Sequence, residues 1–515
     1  MLDRRFSRTR PRIPRCIGCS ELAWASKLSD MKHTLRVIAH IGRRLVLPVV
    51  LLLAFVLPPL AVVIGNMSYG AALTQQQLRP QTAGQALPTP PAYDPAKKTA
   101  LLVAGNTATE SSDLLGPYEV LATSGQFNVF VVAPERKLTP LIPIPDQLCC
   151  GTMDLLPHYS FAEYDQAVGV TPDLVVVPYI PYASTKDTAV LDWLRTRPGE
   201  QTLILSICGG SQMVADAGLL AGHRAVSHHT LYPYLPKWHP EVTWTPGLRY
   251  VDDGRFISSA GVTSGVDATL HVLDRLFGRQ TAMHAALQMG YPHTNFLDDP
   301  TWNFTVVQTL LPAIMPNAFR GERTQIGLVL HEGVGEVELT SITDAYPRST
   351  VADVLTIAPE QAFIRTAHGL DLLPRYTLAS APALDRVLTP GNPDASTNPA
   401  VTHARAQVDE WAAKHGLTVE RIHASGDYPY DATLRDLARQ ETRPMATWAA
   451  AWLEYPTADL ALDGRDWQSE YILRAIGLGA LSVIAILGAR RALGLAWSLR
   501  SRHTAPAPRP STSAA

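Results

Sequence analysis

The chain has 515 residues, of which 46% are hydrophobic, and its formal net charge at pH 7 is -2. This length allows two to four domains, the apolar fraction is sufficient for buried cores, and the small net charge gives no general attraction to nucleic acid. Five cysteines are too few to indicate a disulfide framework. Cys16 and Cys19 form one CxxC motif without a second ligand pair, and the adjacent Cys149 and Cys150 cannot easily bridge each other, so no metal and no cofactor is predicted.

Two apolar segments near the ends of the chain predict membrane-spanning helices. Residues 45–64 contain no charged side chain, and residues 471–489 form a second apolar run; two arginines stand on the outer flank of each. By the positive-inside rule both termini are cytoplasmic, and the central domains lie on the non-cytoplasmic side of the cell membrane. The alternatives are a cleaved signal peptide for the first segment and an ordinary buried or amphipathic helix for the second. Met31 is an alternative start of the protein.

Strands alternate with helices from residue 99 onwards, which predicts an α/β fold with a parallel sheet covered on both faces. The strands are continuous apolar runs, and ligands in such sheets bind beyond the carboxyl ends of the strands. The predicted elements are strands at 99–105, 127–133, 174–177 and 203–207, and helices starting near Asp113 and covering 189–195.

The stretch from Leu203 to Gly218 predicts a turn that projects a nucleophile. Cys208 follows a buried strand, Gly209 and Gly210 permit a sharp turn, and a helix-compatible run comes next. Backbone N–H groups at the start of that helix can hold a developing oxyanion and favour a thiolate. The alternative is a buried cysteine that acts as a small hydrophobic residue.

Several motifs in fixed order resemble the ThiJ/PfpI family, which is related to the class I glutamine amidotransferases. The likeness is strongest to the sensor half of AraC-type transcription regulators and to isonitrile hydratases, and it implies a flavodoxin-like α/β sandwich over roughly residues 99–280. The motifs are Asp113-Leu-Leu-Gly-Pro-Tyr-Glu-Val, Cys208-Gly-Gly, 217–225, Ser227-His228-His229, 250–255 and 259–267.

The resemblance implies Cys208 as the functional centre, Asp113 as the acid beside it and His228 as the imidazole. A carboxyl group near a thiol can tune its ionisation, an imidazole can move a proton, and the backbone of Gly209 and Gly210 can serve an oxyanion. Alternatively, Asp113 is an N-terminal helix cap. His228, like His223 and His229, can equally be a surface loop histidine.

Two departures from the family pattern weaken the case for catalysis. Gly209 stands where family members that hydrolyse or hydrate substrates often carry Thr or His. The strand at 174–177 is followed by Pro178-Tyr179-Ile180-Pro181-Tyr182 instead of the family's Pro-Gly-Gly, whose backbone completes the oxyanion hole.

The region after residue 320 repeats the motifs of the first domain and predicts a duplicated domain. Asp113 and Glu338 are 225 positions apart, and Glu135 and Glu360 have the same separation. The repeat keeps the acid Glu338 but has no cysteine, so it cannot run the same covalent chemistry. It is expected to pack as a pseudo-dimer with the first domain, although decaying sequence is the alternative.

These patterns lead to two functional hypotheses. The first is a membrane-anchored cysteine hydrolase or hydratase that acts on a small molecule; the second is a non-catalytic sensor of a ligand or oxidant, in which a thiol of low pKa reports the signal. No DNA-binding motif follows either domain, so no nucleic-acid partner is predicted. The predicted organisation is a basic N-terminus (1–44), an apolar helix (45–64), a linker (65–98), the cysteine domain (99–280), a connector (281–323), the domain without cysteine (324–465), an apolar helix (471–489) and a basic tail (490–515).

Overall fold

The computed structural model describes residues 45–65, 86–143, 153–181, 188–302, 319–320, 322–393 and 396–503. The chain divides into two compact units, one of which is Val62–Ile472 and the other Met1–Ala61 with Leu473–Ala515. Several predictions concern residues outside these described ranges. They are the predictions for the basic N-terminus, most of the linker, part of the connector, the end of the basic tail, the four cysteines other than Cys208, and Tyr182.

The first half of the large unit, residues 86–302, is built around a seven-stranded sheet. Its elements are β1 (Lys98–Val103), β2 (Thr109–Glu110), α1 (Ser111–Thr123), β3 (Phe127–Ala133), β4 (Thr139–Ile142), β5 (Met153–Leu156), β6 (Tyr159–Ser160), α2 (Phe161–Ala167), β7 (Leu174–Val177), α3 (Thr188–Thr196), β8 (Leu203–Ile207), α4 (Gly210–Asp216), β9 (Arg224–Ala225), α5 (Leu235–Trp238), β10 (Thr243–Trp244), β11 (Tyr250–Asp253), β12 (Phe256–Ser259), α6 (Ser264–Phe277) and α7 (Arg279–Gln288). The sheet order is β11-β12-β8-β7-β1-β3-β6, and each neighbouring pair is parallel except β11 and β12. The predicted flavodoxin-like α/β fold with a parallel sheet is therefore confirmed, and its apolar strands are buried as such a sheet requires.

The second half, residues 319–468, contains a parallel sheet of five strands in the order β17-β14-β13-β18-β19. One helix lies between the first two strands of this half, and another lies between its last two strands. Its elements are β13 (Thr324–Val329), α8 (Glu336–Arg348), β14 (Ala352–Ala358), β15 (Ile364–Arg365), β16 (Asp371–Leu373), β17 (Tyr376–Thr377), β18 (Arg386–Leu388), α9 (Pro399–Lys414), β19 (Val419–Glu420), α10 (Pro429–Gln440) and α11 (Arg443–Trp452).

A third sheet joins the two halves. Its order is β15-β16-β5-β4-β2, and the antiparallel pair of β5 and β16 crosses from one half to the other. Leu155 lies opposite Leu372 in this pair, and both side chains are fully buried. The halves therefore share backbone hydrogen bonds as well as apolar contacts.

Helices α1 and α8 pack against each other beside this sheet. Glu119 on α1 accepts a 2.6 Å hydrogen bond from the backbone N–H of Val337 in the first turn of α8. In the other direction, Asp344 on α8 accepts hydrogen bonds from the hydroxyls of Ser111 and Ser112 in the first turn of α1. Each helix thus brings a carboxylate to the start of the other, where the unpaired N–H groups favour negative charge.

Two helices, Leu45–Gly65 and Ser469–Trp497 within the longer helix Ser469–His503, are long and apolar enough to cross a membrane. Residues 45–61 of the first helix and the chain from Leu473 onwards belong to the small unit. A side chain on Gly479 would lie 2.6 Å from the backbone oxygen of Phe55, so the glycine permits close contact between these two helices.

Candidate functional site

Cys208 follows the last residue of β8 and has a backbone φ of 58°. A non-glycine residue rarely adopts this left-handed conformation, and such strain is found mostly at functional positions. Hydrogen bonds on both sides hold the backbone in place: the Cys208 N–H donates to the Ser259 carbonyl, and the Ser227 hydroxyl donates to the Cys208 carbonyl. The predicted sharp turn is present, and the cysteine itself carries the strained angle.

The two glycines after Cys208 are needed for space, because neither has a positive φ. A side chain on Gly209 would lie 1.9 Å from the ring of Tyr179, and one on Gly210 would lie 2.0 Å from the carbonyl oxygen of Val177. Because α4 begins at Gly210, its first turn packs directly against the end of the neighbouring strand β7.

Asp113 lies in the first turn of α1, and its carboxyl interacts with the Cys208 thiol. Oδ2 accepts a 3.1 Å hydrogen bond from the Tyr179 N–H, and Oδ1 is buried without a hydrogen-bond partner among the described residues. The N-cap of α1 is Glu110, which accepts a hydrogen bond from the Asp113 N–H. Asp113 is therefore not the helix cap, and its carboxyl is left to face the thiol.

Burial raises the pKa of Asp113 from 3.8 to about 7, because a buried carboxylate loses its hydration. The Tyr179 N–H, the positive charge of Arg348 and the thiol hydrogen bond partly offset this rise. Near neutral pH the carboxyl can therefore both give and take a proton, as a general acid or base requires.

The Cys208 thiol is 6% exposed, and burial together with the charges of Asp113 and Glu110 raises its pKa well above the ordinary value. Arg348 and a hydrogen bond from the Gly209 N–H act in the opposite direction. The expectation of a low-pKa thiol is therefore wrong for this arrangement, since loss of hydration outweighs the favourable backbone contact. The resting thiol keeps its proton.

His228 is buried close to Cys208. The Cδ2 atom of its ring and the Cys208 sulfur lie 2.7 and 3.7 Å from the point where a side chain on Gly261 would begin. The ring nitrogens face other partners: Nδ1 lies 2.8 Å from the Thr230 hydroxyl, and Nε2 lies 3.2 Å from the Trp452 carbonyl. Burial lowers the pKa of His228 well below its usual value, so the ring is neutral.

The second half supplies residues to this site that sequence reasoning missed. Arg348 at the end of α8 forms a 2.6 Å ion pair with Glu110, and both are almost completely buried. Trp452 at the end of α11 packs its ring 5.9 Å from that of His228. Both residues are more than 200 positions away from their partners, and the sequence carries no pattern that pairs them.

Residues 97–275 match the family model of the DJ-1/PfpI family. These residues form a DJ-1/PfpI domain. Cys208, Asp113 and His228 all lie within it, whereas Arg348 and Trp452 are contributed from outside it. The resemblance predicted from the spaced motifs is thereby confirmed.

The DJ-1/PfpI domain is similar to an enzyme and to a regulator. Isonitrile hydratase of Pseudomonas putida is 29% identical over 186 residues, which cover 35% of this chain and 72% of the enzyme. The HTH-type transcriptional regulator CdhR of Pseudomonas aeruginosa is 32% identical over 195 residues, which cover 38% of this chain and 51% of the regulator. The match thus spans about half the length of the regulator.

Solved structures are similar over the same part of the chain. A ThiJ/PfpI family protein from Pseudomonas syringae matches with a TM-score of 0.33 and 21% identity, covering 42% of this chain and 80% of that protein. Drosophila melanogaster DJ-1beta matches with a TM-score of 0.32 and 22% identity, covering 38% of this chain and all of that protein.

Two side-chain clusters in the described residues have the donor atoms that a metal ion needs. One consists of His228, His229 and Glu454, and the other of Glu119, Glu336 and His368. The first borders the cysteine site of the DJ-1/PfpI domain, and the second lies between the halves, where Glu119 contacts α8.

Proposed function

We propose that this protein is a membrane-anchored hydratase or hydrolase in which Cys208 attacks a small, uncharged molecule. The observation that carries the proposal is the contact between the Cys208 thiol, held at a strained backbone angle, and the Asp113 carboxyl, whose pKa is about 7. A thiol and a carboxyl in this relation can exchange a proton while the sulfur forms a bond.

Charge and burial favour an uncharged substrate. Asp113 and Glu110 are fully buried beside the thiol, and Arg348 compensates only part of their charge. A substrate that entered this space would lose its hydration, which costs far more for an ion than for a neutral molecule. The Tyr179 ring against Gly209 leaves little room, so the substrate is also small.

The relative named isonitrile hydratase suggests the first substrate class to test. With an isonitrile, the Cys208 sulfur would bond to the terminal carbon while the thiol proton passes through Asp113 to that same carbon. Water would then add across the resulting C=N bond, with hydroxyl on carbon and hydrogen on nitrogen. Breakage of the C–S bond, with return of the hydroxyl proton to sulfur, releases an N-substituted formamide. The overall reaction therefore converts one isonitrile and one water into one N-substituted formamide.

His228 is proposed to line this site without transferring a proton. Its nitrogens are held by Thr230 and the Trp452 carbonyl, so a proton carried by this ring would have to leave one of these contacts. The Gly209 N–H contacts the sulfur and is the backbone donor best placed to stabilise a developing negative charge. The N–H of Gly210, the next residue, is the second candidate donor.

The test is formamide production from a small alkyl isocyanide by the full-length protein in detergent. We expect turnover by the wild type, and a loss of at least about 100-fold in kcat/KM for Cys208→Ala and Asp113→Asn. Asp216→Asn makes the same carboxyl-to-amide change at the end of α4, where Asp216 pairs with His239, and should retain wild-type turnover. Equal turnover in the wild type and Cys208→Ala would refute the proposal.

A ligand sensor is the second candidate, and Tyr179 favours it. The Tyr179 N–H already donates to Asp113, and the Tyr179 ring covers Gly209. A catalytic site needs free backbone donors at this point. In a sensor, a bound molecule would displace this ring without being converted. Binding of an isocyanide or formamide that raises the unfolding temperature without turnover would support this candidate over the enzyme.

We also infer that the second half is a degenerate copy of the first and serves as its pseudo-subunit. Reciprocal contacts support this: Leu155 pairs with Leu372, Asp154 lies opposite Leu373, and Leu156 lies opposite Asp371. In a two-fold interface, each contact between equivalent positions recurs in the opposite direction. The exchange of carboxylates between α1 and α8 follows the same rule.

Membrane anchoring through both apolar helices, with the central domains on the non-cytoplasmic side, belongs to the same proposal. Mean hydropathies of 2.8 for Leu45–Gly65 and 2.1 for Ser469–Trp497 support it. An arginine at the centre of a spanning helix costs about 2.5–3.5 kcal/mol on insertion scales. Leu53→Arg should therefore weaken retention of the protein in carbonate-washed membranes. Leu287→Arg, an exposed leucine of α7, is the matched control.

A further inference from the structure

We propose that His228, His229 and Glu454 form a binding site for one divalent transition-metal ion of the zinc class. The site brings together two adjacent histidines of the first half and a glutamate that follows α11 in the second half. It does not depend on chemistry at Cys208, and it goes beyond the function proposed above.

The donor atoms of these three residues already lie together. One ligand atom from each residue lies within 4.8 Å of the others. His229 Nδ1 and Glu454 Oε1 are 3.2 Å apart, and the two imidazole ring centres are 4.0 Å apart. Ligands at 2.0–2.2 Å from a common ion are separated by comparable distances, so small side-chain rotations would suffice.

Glu454 provides an independent indication of a ligand. Its side chain is 3% exposed, and its Oε2 atom is buried without a hydrogen-bond partner among the described residues. A buried carboxylate oxygen without a partner is costly, and such groups usually serve a bound ion or a functional site.

The backbone holds Glu454 in this position at a cost. Its φ is 52°, a left-handed angle that is strained for glutamate. The Arg249 guanidinium and the Thr263 hydroxyl donate hydrogen bonds of 2.6 and 3.0 Å to the Glu454 carbonyl. These contacts hold the backbone while the carboxylate is directed towards the histidines.

His228 has the hydrogen bond that a metal-bound histidine usually makes. Its Nε2 lies 3.2 Å from the Trp452 carbonyl, which can only accept, so Nε2 carries the proton. Nδ1 then has the lone pair, which at present faces the Thr230 hydroxyl. Rotation of that hydroxyl frees Nδ1 as a ligand, and the bond to Trp452 fixes the tautomer.

Two nitrogen ligands and one carboxylate oxygen suit zinc and similar divalent ions. Three protein ligands leave a coordination position for water. The His229 side chain is 19% exposed, which gives the ion a path from solvent. Arg249 and Arg348 are the nearby positive charges; Arg249 is neutralised by a 2.5 Å ion pair with Asp267, and Arg348 by its pair with Glu110.

The second cluster offers a matched comparison. Both oxygens of Glu336 are engaged there, since Oε1 accepts from the Thr366 hydroxyl and Oε2 lies 2.7 Å from His368 Nδ1. Glu119 also accepts a backbone hydrogen bond. This cluster is satisfied without an ion, so His368→Gln should leave metal binding intact.

The test is titration of the metal-free, full-length protein with Co²⁺ and Zn²⁺, followed by visible absorption, bound-metal stoichiometry and thermal unfolding. We expect one ion per chain and a higher unfolding temperature, because the ion joins the two halves. His229→Gln and Glu454→Gln should weaken binding by at least about 100-fold, more than loss of an outer-shell partner does. Without metal, each should unfold cooperatively, which separates loss of a ligand from loss of the fold.

Two further variants complete the design. His368→Gln and Cys208→Ser should bind Co²⁺ with wild-type affinity, and the Cys208→Ser result holds whether or not the thiol is catalytic. The proposal is overturned if the wild type binds no ion at micromolar concentrations. It is equally overturned if Glu454→Gln and His229→Gln bind as the wild type does, or if binding is lost in His368→Gln or Cys208→Ser instead.

Discussion

Arg348 and Glu110 form a 2.6 Å ion pair in which the two side chains are only 2% and 1% exposed. Glu110 caps the helix that carries Asp113, and Arg348 ends a helix of the other half. The charge of Arg348 lowers the pKa of both Asp113 and Cys208. The half without a cysteine therefore contributes directly to the electrostatics of the cysteine site.

Replacement of Arg348 by methionine should destabilise the protein by about 3–5 kcal/mol, because the buried carboxyls of Glu110 and Asp344 would lose the positive charge that compensates them. Urea unfolding measures this loss. The double variant Arg348→Met, Glu110→Gln removes charge from both sides of the pair and should recover part of the lost free energy of unfolding. A double variant less stable than the single one would show that the pair is not the source of the loss.

The stability of the protein should fall as pH rises through about 7, in part because of Asp113. Its folded-state pKa of about 7 lies above the ordinary 3.8, so the protonated carboxyl stabilises the fold. This contribution is complete below about pH 4 and is lost as pH passes 7, by a few kcal/mol at most.

Asp113→Asn should flatten this dependence between pH 5 and pH 8, measured by urea unfolding at both values. Burial also raises the pKa of Glu119, to about 8. Because Glu119 is present in both proteins, it does not change the difference in pH dependence between the wild type and the variant. Identical pH dependence in the wild type and the variant would contradict the raised pKa of Asp113.

Gly210→Ala should destabilise the fold by about 1–3 kcal/mol, because its methyl group would meet the Val177 carbonyl, a backbone atom that cannot move alone. Gly116→Ala, within α1, is the control: its methyl group would make an ordinary 3.5 Å contact with Val266. This change should be neutral or stabilise by about 0.5–1 kcal/mol. Thermal unfolding of both variants would test the distinction, and equal effects would contradict it.

Leu155→Ala and Leu372→Ala should each lower the temperature of one common unfolding transition, although the two residues belong to different halves. Each should cost about 2–5 kcal/mol, since both side chains are fully buried in the shared sheet. Because the residues are paired, the double variant should lose less than the sum of the single losses. Calorimetry showing two transitions, only one of which shifts in each variant, would contradict a common folding unit.

The sequence predicted the parallel sheet and the position of Cys208 at a strand end, because continuous apolar strands and the Cys-Gly-Gly turn are local patterns. It could not predict that Arg348, Trp452 and Glu454 border the site, since these contacts join residues more than 200 positions apart. The raised pKa of the Cys208 thiol was also beyond local reasoning: the turn supplies a favourable N–H, but burial of the thiol depends on the whole fold.

The most direct test is the pH dependence of Cys208 alkylation by iodoacetamide, followed by mass spectrometry of the Cys208 peptide in the full-length protein. We predict a midpoint above the ordinary thiol value of about 8.5, because burial, Asp113 and Glu110 all disfavour the thiolate. In Asp113→Asn the midpoint should move to lower pH, since one of these causes is removed. A midpoint near 8.5 that is the same in both proteins would contradict a coupled pair of Cys208 and Asp113.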